Sequence, residues 1–133
     1  MDIKSFVKYK HEVIFVYDDD TVQHAIDILK RERFTSIPIL SRDGEYYGTL
    51  TEGDLLYTIY ESGIKWASNL KISEIDRNRD YKAVMITDPV ITLIVRASDE
   101  NFVPIVDENN KFLGIVTRKK LLDYFFETKF VIL

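Results

Sequence analysis

Cysteine is absent from the chain, which excludes disulfides and metal sites held by thiolates. Glycine and proline are sparse, at five and three residues, and none of the glycines falls in a Walker-type phosphate loop. No run approaches eighteen consecutive apolar residues, so no membrane-spanning helix is expected. The opening "MDIKSFVKYKHEVIFVYDDD" lacks the long apolar stretch and small-residue cleavage site of a secretory leader, and a cytoplasmic protein is expected. Positive charge is not in excess. The formal net charge is -4, which gives no general attraction to nucleic acid or to an anionic membrane. The two histidines, His11 and His24, stand alone. The acids Asp18, Asp19 and Asp20 precede a helix, as N-terminal acids ordinarily do. With no paired histidines, nucleophile elbow or metal-ligand cluster, an enzyme is not expected, and neither is a metal or cofactor.

What the chain has instead is a soluble composition, 46% hydrophobic and 30% charged, in a length that suits one module with a real core. It also has an internal repeat. "GTLTEGDLLY" at 48–57 returns as "GIVTRKKLLD" at 114–123. The pairs Thr21/Thr87, Pro38/Pro104, Gly48/Gly114, Thr51/Thr117, Leu55/Leu121 and Leu56/Leu122 share one separation along the chain. Such repetition marks two copies of one structural unit.

Each copy reads β-α-β-β-α. In the first, "EVIFVY" is a strand and "DDDTVQHAIDILKRER" a helix with Val22, Ala25, Ile26 and Leu29 on one face. "SIPIL" and "YYGTL" form a hairpin around an Asp-Gly turn, and Thr51 caps the helix "EGDLLYTIYES". In the second, "KAVMI", "DPVITLIVRAS", "FVPIV", "KFLGIV" and "RKKLLDYFFETK" follow the same order. "VITLIV" alone looks like a strand, but the repeat makes it a helix, with Ile91, Ile94 and Val95 matching Ala25, Ile28 and Leu29. The expected division is 1–62 for the first copy, 63–79 for a linker and 80–133 for the second copy with its tail. The terminal "FVIL" is apolar and calls for cover. The aromatic helices, with Tyr57, Tyr60, Tyr124 and Phe125, point to a dimer interface formed by helices 52–61 and 118–128.

Thr51 and Asp54 are the residues with most chemistry. Thr-x-x-Asp is a helix-capping pattern in its own right. An ionised carboxylate can also receive both hydroxyls of a ribose, and the helix start offers free N–H groups to phosphate. Pro38 and Pro104 interrupt their strands, which either marks sheet edges or leaves backbone groups free to read a base.

The repeated unit, with its apolar-Pro-apolar-apolar run, Gly, Thr and Asp at Pro38, Gly48, Thr51 and Asp54, resembles a tandem pair of CBS domains, the module named after cystathionine β-synthase. The resemblance covers residues 10–128. It departs from the pattern at Lys120, which stands where the second copy should carry its acid. The resemblance implies an α/β fold of two β-α-β-β-α repeats related by pseudo-two-fold symmetry. It also implies a regulatory module that binds an adenosine compound (AMP, ADP, ATP, S-adenosylmethionine or cyclic di-AMP) between the copies and signals to a partner protein whose identity is unknown. Carried over by position, the intact site joins Thr49, Thr51 and Asp54 to Met85, Thr87, Asn101 and Phe102, with adenine against Met85 and Phe102. The degenerate site joins Ile115, Thr117, Arg118 and Lys120 to Asp19, Thr21, Thr35 and Ser36. Lys120 cannot accept hydrogen bonds from hydroxyls but can pair with phosphate, and "RKK" at a helix start is either an anion site or a solvated charge run. The alternative to a sensor is an interaction module whose sites are empty.

Overall fold

The computed structural model describes residues 1–78 and 80–132, the side chains of 128–132 excepted. Its elements, in chain order, are β1 (Lys8–Tyr9), β2 (Val16–Tyr17), α1 (Val22–Glu32), β3 (Ser36–Leu40), β4 (Tyr46–Thr51), α2 (Glu52–Ser62), α3 (Ile64–Ala67), β5 (Val84–Met85), α4 (Val90–Ala97), β6 (Phe102–Val106), β7 (Phe112–Thr117) and α5 (Arg118–Ile132). The chain divides into two compact units, Ile14–Asp80 and Met1–Val13 with Tyr81–Leu133. No helix among the described residues is long and apolar enough to cross a membrane.

In the Ile14–Asp80 unit the sheet order is β2-β3-β4, with β2 parallel and β4 antiparallel to β3. The Thr21 hydroxyl accepts the His24 N–H at 3.1 Å and so starts α1. Arg33, in the left-handed region at φ 58°, ends it. Between these stops Val22, Ala25, Ile28 and Leu29 are buried against Ile37, Ile39 and Leu50 of the sheet. The β3–β4 turn uses Gly44 at φ 85°, a conformation that suits glycine.

The second unit repeats the hairpin register for register. Pro38 faces Thr49 and Ile39 faces Gly48; Pro104 faces Ile115 and Ile105 faces Gly114. Both hairpins shift register one step later, at Ile39/Leu40 and at Ile105/Val106. Asn110, at φ 63°, takes the place of Gly44. The Asp107 carboxylate accepts the Asn109 and Lys111 N–H groups at 2.9 Å each, which steadies that turn. The expected helix over "VITLIV" is present as α4.

Its alignment with α1 needs correcting. Asp20 accepts the Tyr17 N–H through its carboxylate, and the equivalent contact is Asp88 with Met85. By these contacts Thr21 corresponds to Pro89, the N-cap of α4, and Thr87 lies two residues ahead of that cap. Leu93 and Ala97 are accordingly the buried positions of α4, while Ile91, Ile94 and Val95 are exposed. The gapless match thus holds over the hairpins and final helices but slips by two residues through the first helices. The strand expected over "EVIFVY" is also shorter, since only Val16 and Tyr17 pair.

Residues 1–13, which the repeat counts with the first copy, join the sheet of the second. There the order is β1-β7-β6-β5, with Lys8 opposite Ile115 and Tyr9 opposite Gly114. Ile3 and Phe6 lie in that unit's core. The stretch read as a linker is built into the first unit. Ala67 and Ile72 are fully buried, and the Val22 N–H donates to the Leu70 carbonyl at 2.8 Å. Ile72→Ala is therefore expected to cost about 2–5 kcal/mol in chemical denaturation. Glu108→Ala, at an exposed position in the β6–β7 turn, should stay within about 0.5 kcal/mol of wild type. The expected cover of the "FVIL" tail concerns side chains outside the described residues.

Candidate functional site

The junction of β4 and α2 gathers Thr49, Thr51 and Asp54 in one place. Thr51 leaves the strand in extended geometry and becomes the N-cap of α2. Its hydroxyl accepts the Asp54 N–H at 3.2 Å, and Asp54 Oδ2 accepts the Thr51 N–H at 3.1 Å. This is a complete capping box, and the carboxylate also complements the helix dipole. Thr58, one turn on, donates its hydroxyl to the Asp54 carbonyl at 2.8 Å.

Asp54 does more than cap. Its Oδ1 accepts the backbone N–H of Asn78 at 2.9 Å, and the residue is only 3% exposed. Thr49 is fully buried; its hydroxyl meets the Tyr46 hydroxyl at 2.5 Å, and its N–H donates to Asp80 Oδ1 at 2.9 Å. Arg77 pairs with Asp80 and sets its guanidinium 5.0 Å from the centre of the Tyr47 ring. Gly48 makes room for this group, because a side chain there would overlap the Arg77 guanidinium and the Asp80 carboxyl. Arg77, Asn78 and Asp80 were not among the residues expected at the site. Asn78 acts through its backbone, which leaves no signature in residue type, and the matched glycines Gly48 and Gly114 were the only hint that something approaches closely.

The other expected residues fall as follows. Met85 is partly exposed and donates its N–H to the Asp88 carboxylate. Phe102 is buried, with its ring 4.9 Å from that of Tyr81. The Asn101 carbonyl accepts the Arg118 N–H at 3.0 Å. Thr87 lies beside β5, displaced from the position equivalent to Thr21. These four belong to the unit that holds the second copy.

The degenerate set is divided between the units. Asp19 pairs with Arg42 at 2.9 Å, and this hydrogen-bonded guanidinium holds its carboxyl below the usual range. Thr21 is occupied as the α1 cap, the Thr35 carbonyl accepts the Glu52 N–H, and Ser36 faces Thr51 across the hairpin. Ile115 faces both Lys8 and Pro104, and the Thr117 hydroxyl accepts the Lys120 N–H at 3.1 Å. The "RKK" run spends two of its cations internally. Arg118 Nε donates to the Ala97 carbonyl at 2.7 Å, at the end of α4 where a cation suits the helix dipole. Lys119 pairs with Asp123 at 2.7 Å. Lys120 lines a groove with Ser5, Asp123, Tyr124 and Glu127. Among the described residues no group of three or more His, Asp or Glu side chains is placed to hold a metal ion.

The fold has well-matched relatives of known structure. CbpB, solved in complex with c-di-AMP, superposes with a TM-score of 0.84 at 18% identity, over 96% of this chain and 85% of that one. CBSX2, solved in complex with AMP, gives 0.76 at 17% identity, over 96% and 98%. Homoserine O-acetyltransferase of Methanococcus vannielii is 22% identical over 80% of this chain, which spans only 21% of that enzyme. The family model for the CBS domain matches twice, at residues 3–61 and 72–127. The chain therefore belongs to the CBS domain family, and carries two copies of the domain in tandem.

Proposed function

We propose that the chain is a regulatory, non-catalytic module that binds an adenosine-containing ligand through the first copy and signals its presence to a partner protein in the cytoplasm. The ligand class comprises AMP, ADP, ATP, S-adenosylmethionine and cyclic di-AMP. The observation that carries this reading is Asp54: a carboxylate at the start of α2, next to buried Thr49 and capping Thr51. On this reading the Asp54 carboxylate accepts the ribose hydroxyls and phosphate is left to the Gly53 N–H at the helix start, since the Glu52 and Asp54 N–H groups are taken by Thr35 and Thr51. CbpB and CBSX2, with their c-di-AMP and AMP, lend support from outside the chain. The acetyltransferase match does not argue for catalysis, since it is confined to about a fifth of that enzyme.

Thermal melting with each compound tests the proposal. A ligand at a hundredfold over its dissociation constant adds about 2.7 kcal/mol, which for a chain of this size raises the midpoint by on the order of 10 °C. One observation favours the competing reading, an interaction module with empty sites. Both Asp54 oxygens already accept N–H groups from the chain itself. Unmoved midpoints with every compound would establish the empty module instead.

We further propose a homodimer formed through α2 and α5. Leu56, Tyr57 and Tyr60 project from α2 at 69%, 70% and 85% exposure, and Leu122 and Phe126 are exposed on α5 at 62% and 61%. So much apolar surface on two helices calls for cover. Leu56→Asp with Tyr60→Glu is expected to convert dimer to monomer in sedimentation velocity, without lowering helix content. A wild-type chain that sediments as a monomer would remove this proposal.

A further inference from the structure

We propose that Arg77, Asn78 and Asp80 form a built-in competitor that must leave Asp54 before a ribose can bind there. The inference rests on the ribose-binding reading of Asp54 and gives that site its regulation. As it stands, the carboxylate is closed to a ligand: it is 3% exposed, with Oδ2 committed to its own cap and Oδ1 to the Asn78 N–H. The cap is part of α2. Asn78 is distant in sequence, so its N–H is the partner a ligand hydroxyl can replace. Asp80 holds the same stretch down by accepting the Thr49 N–H, and Arg77 braces Asp80 from above the Tyr47 ring.

Comparison of the two copies supports a removable cover. At the matching edge of the second copy, Gly114 and Ile115 are covered by β1 in regular antiparallel pairing. At Gly48 and Thr49 no such strand among the described residues pairs with β4. A side-chain carboxylate stands in for the missing carbonyl, and that carboxylate is 41% exposed. The edge closed by a ladder belongs to the copy carrying Lys120. The edge closed by side chains belongs to the copy that keeps its acid. Asp80 is also the last residue of its unit, and Tyr81 begins the continuation into the other. Displacing the cover therefore perturbs a connection between the two, which gives ligand binding a route to a partner.

The test is calorimetric titration of the full chain with AMP, and with c-di-AMP in parallel, using wild type, Asp80→Ala and Arg77→Ala. Backbone amide exchange is followed at Asn78 and Thr49. A cover that competes reduces apparent affinity by the fraction of molecules in which it is open. Both variants are therefore expected to bind about threefold tighter or better, and saturating nucleotide should speed exchange of the Asn78 amide in wild type. Variants that bind while wild type does not would support the inference most strongly. If all three proteins bind but the variants gain nothing, or the Asn78 amide stays protected at saturation, the competitor is refuted and the ligand reading stands. If none of the three proteins binds AMP or c-di-AMP, nor ADP, ATP or S-adenosylmethionine in the same titration, the ligand reading itself fails and takes the competitor with it.

Discussion

Gly114→Val is expected to destabilise the chain by about 3 kcal/mol or more in urea titration, while Gly48→Val costs only about 1 kcal/mol. The two glycines occupy the same register position, opposite Ile105 and Ile39. Two things differ: Gly114 stands at φ 158°, where side chains are strained, and the neighbour each would meet is not the same. A Cβ on Gly114 would run into backbone, lying 2.9 Å from Tyr9 Cα and closer still to the Lys8 carbonyl. Those atoms belong to β1, whose pairing with β7 fixes their position. Relief requires giving up the ladder, and with it the packing of Ile3 and Phe6 in the core behind. A Cβ on Gly48 would instead meet the ends of Arg77 and Asp80, and side chains can rotate away. Equal costs at the two positions would mean that the Arg77–Asp80 pair is as firmly seated as a strand.

Asp54→Ala is expected to lower stability by about 2–4 kcal/mol, and this loss precedes any effect on a ligand. The substitution takes the acceptor away from two part-buried N–H groups, those of Thr51 and Asn78, where the carboxylate itself is only 3% exposed. Each buried donor left without a partner costs about 1–3 kcal/mol. Asp54→Asn keeps the shape and one acceptor oxygen, so it should cost about half as much. It is the better variant for separating fold from binding. If Asp54→Ala unfolded at the wild-type urea midpoint, the carboxylate would have no structural role, contrary to its contacts.

Most of the architecture was legible because the repeat places Pro, Gly, Thr and Leu-Leu where strands and helices begin or end. Those residues recur for steric reasons, so the match between the two hairpins followed directly. The slip between α1 and α4 was not legible. In α4 the apolar residues Ile91, Ile94 and Val95 cover the outer face as well as the inner one, so hydrophobicity no longer identifies the buried stripe. A two-residue strand such as β1 carries too little pattern to reveal which sheet it joins. The candidate site was legible at Thr51 and Asp54, whose spacing reflects the capping geometry. Its cover was not, because the critical donor is a main-chain N–H, and any residue but proline supplies one.

The claim that Asp54 grips the ribose of an adenosine ligand is tested most directly by removing the hydroxyls instead of the protein group. Wild type and Asp54→Asn should each be titrated with AMP and with 2′,3′-dideoxy-AMP. Hydrogen bonds to a charged group contribute about 1.5–3 kcal/mol, so losing the hydroxyls should weaken wild-type binding roughly tenfold to a hundredfold. The same loss should leave Asp54→Asn nearly unchanged, because the charged partner is already gone. An equal penalty in both proteins would place the ribose elsewhere and leave Asp54 as a helix cap.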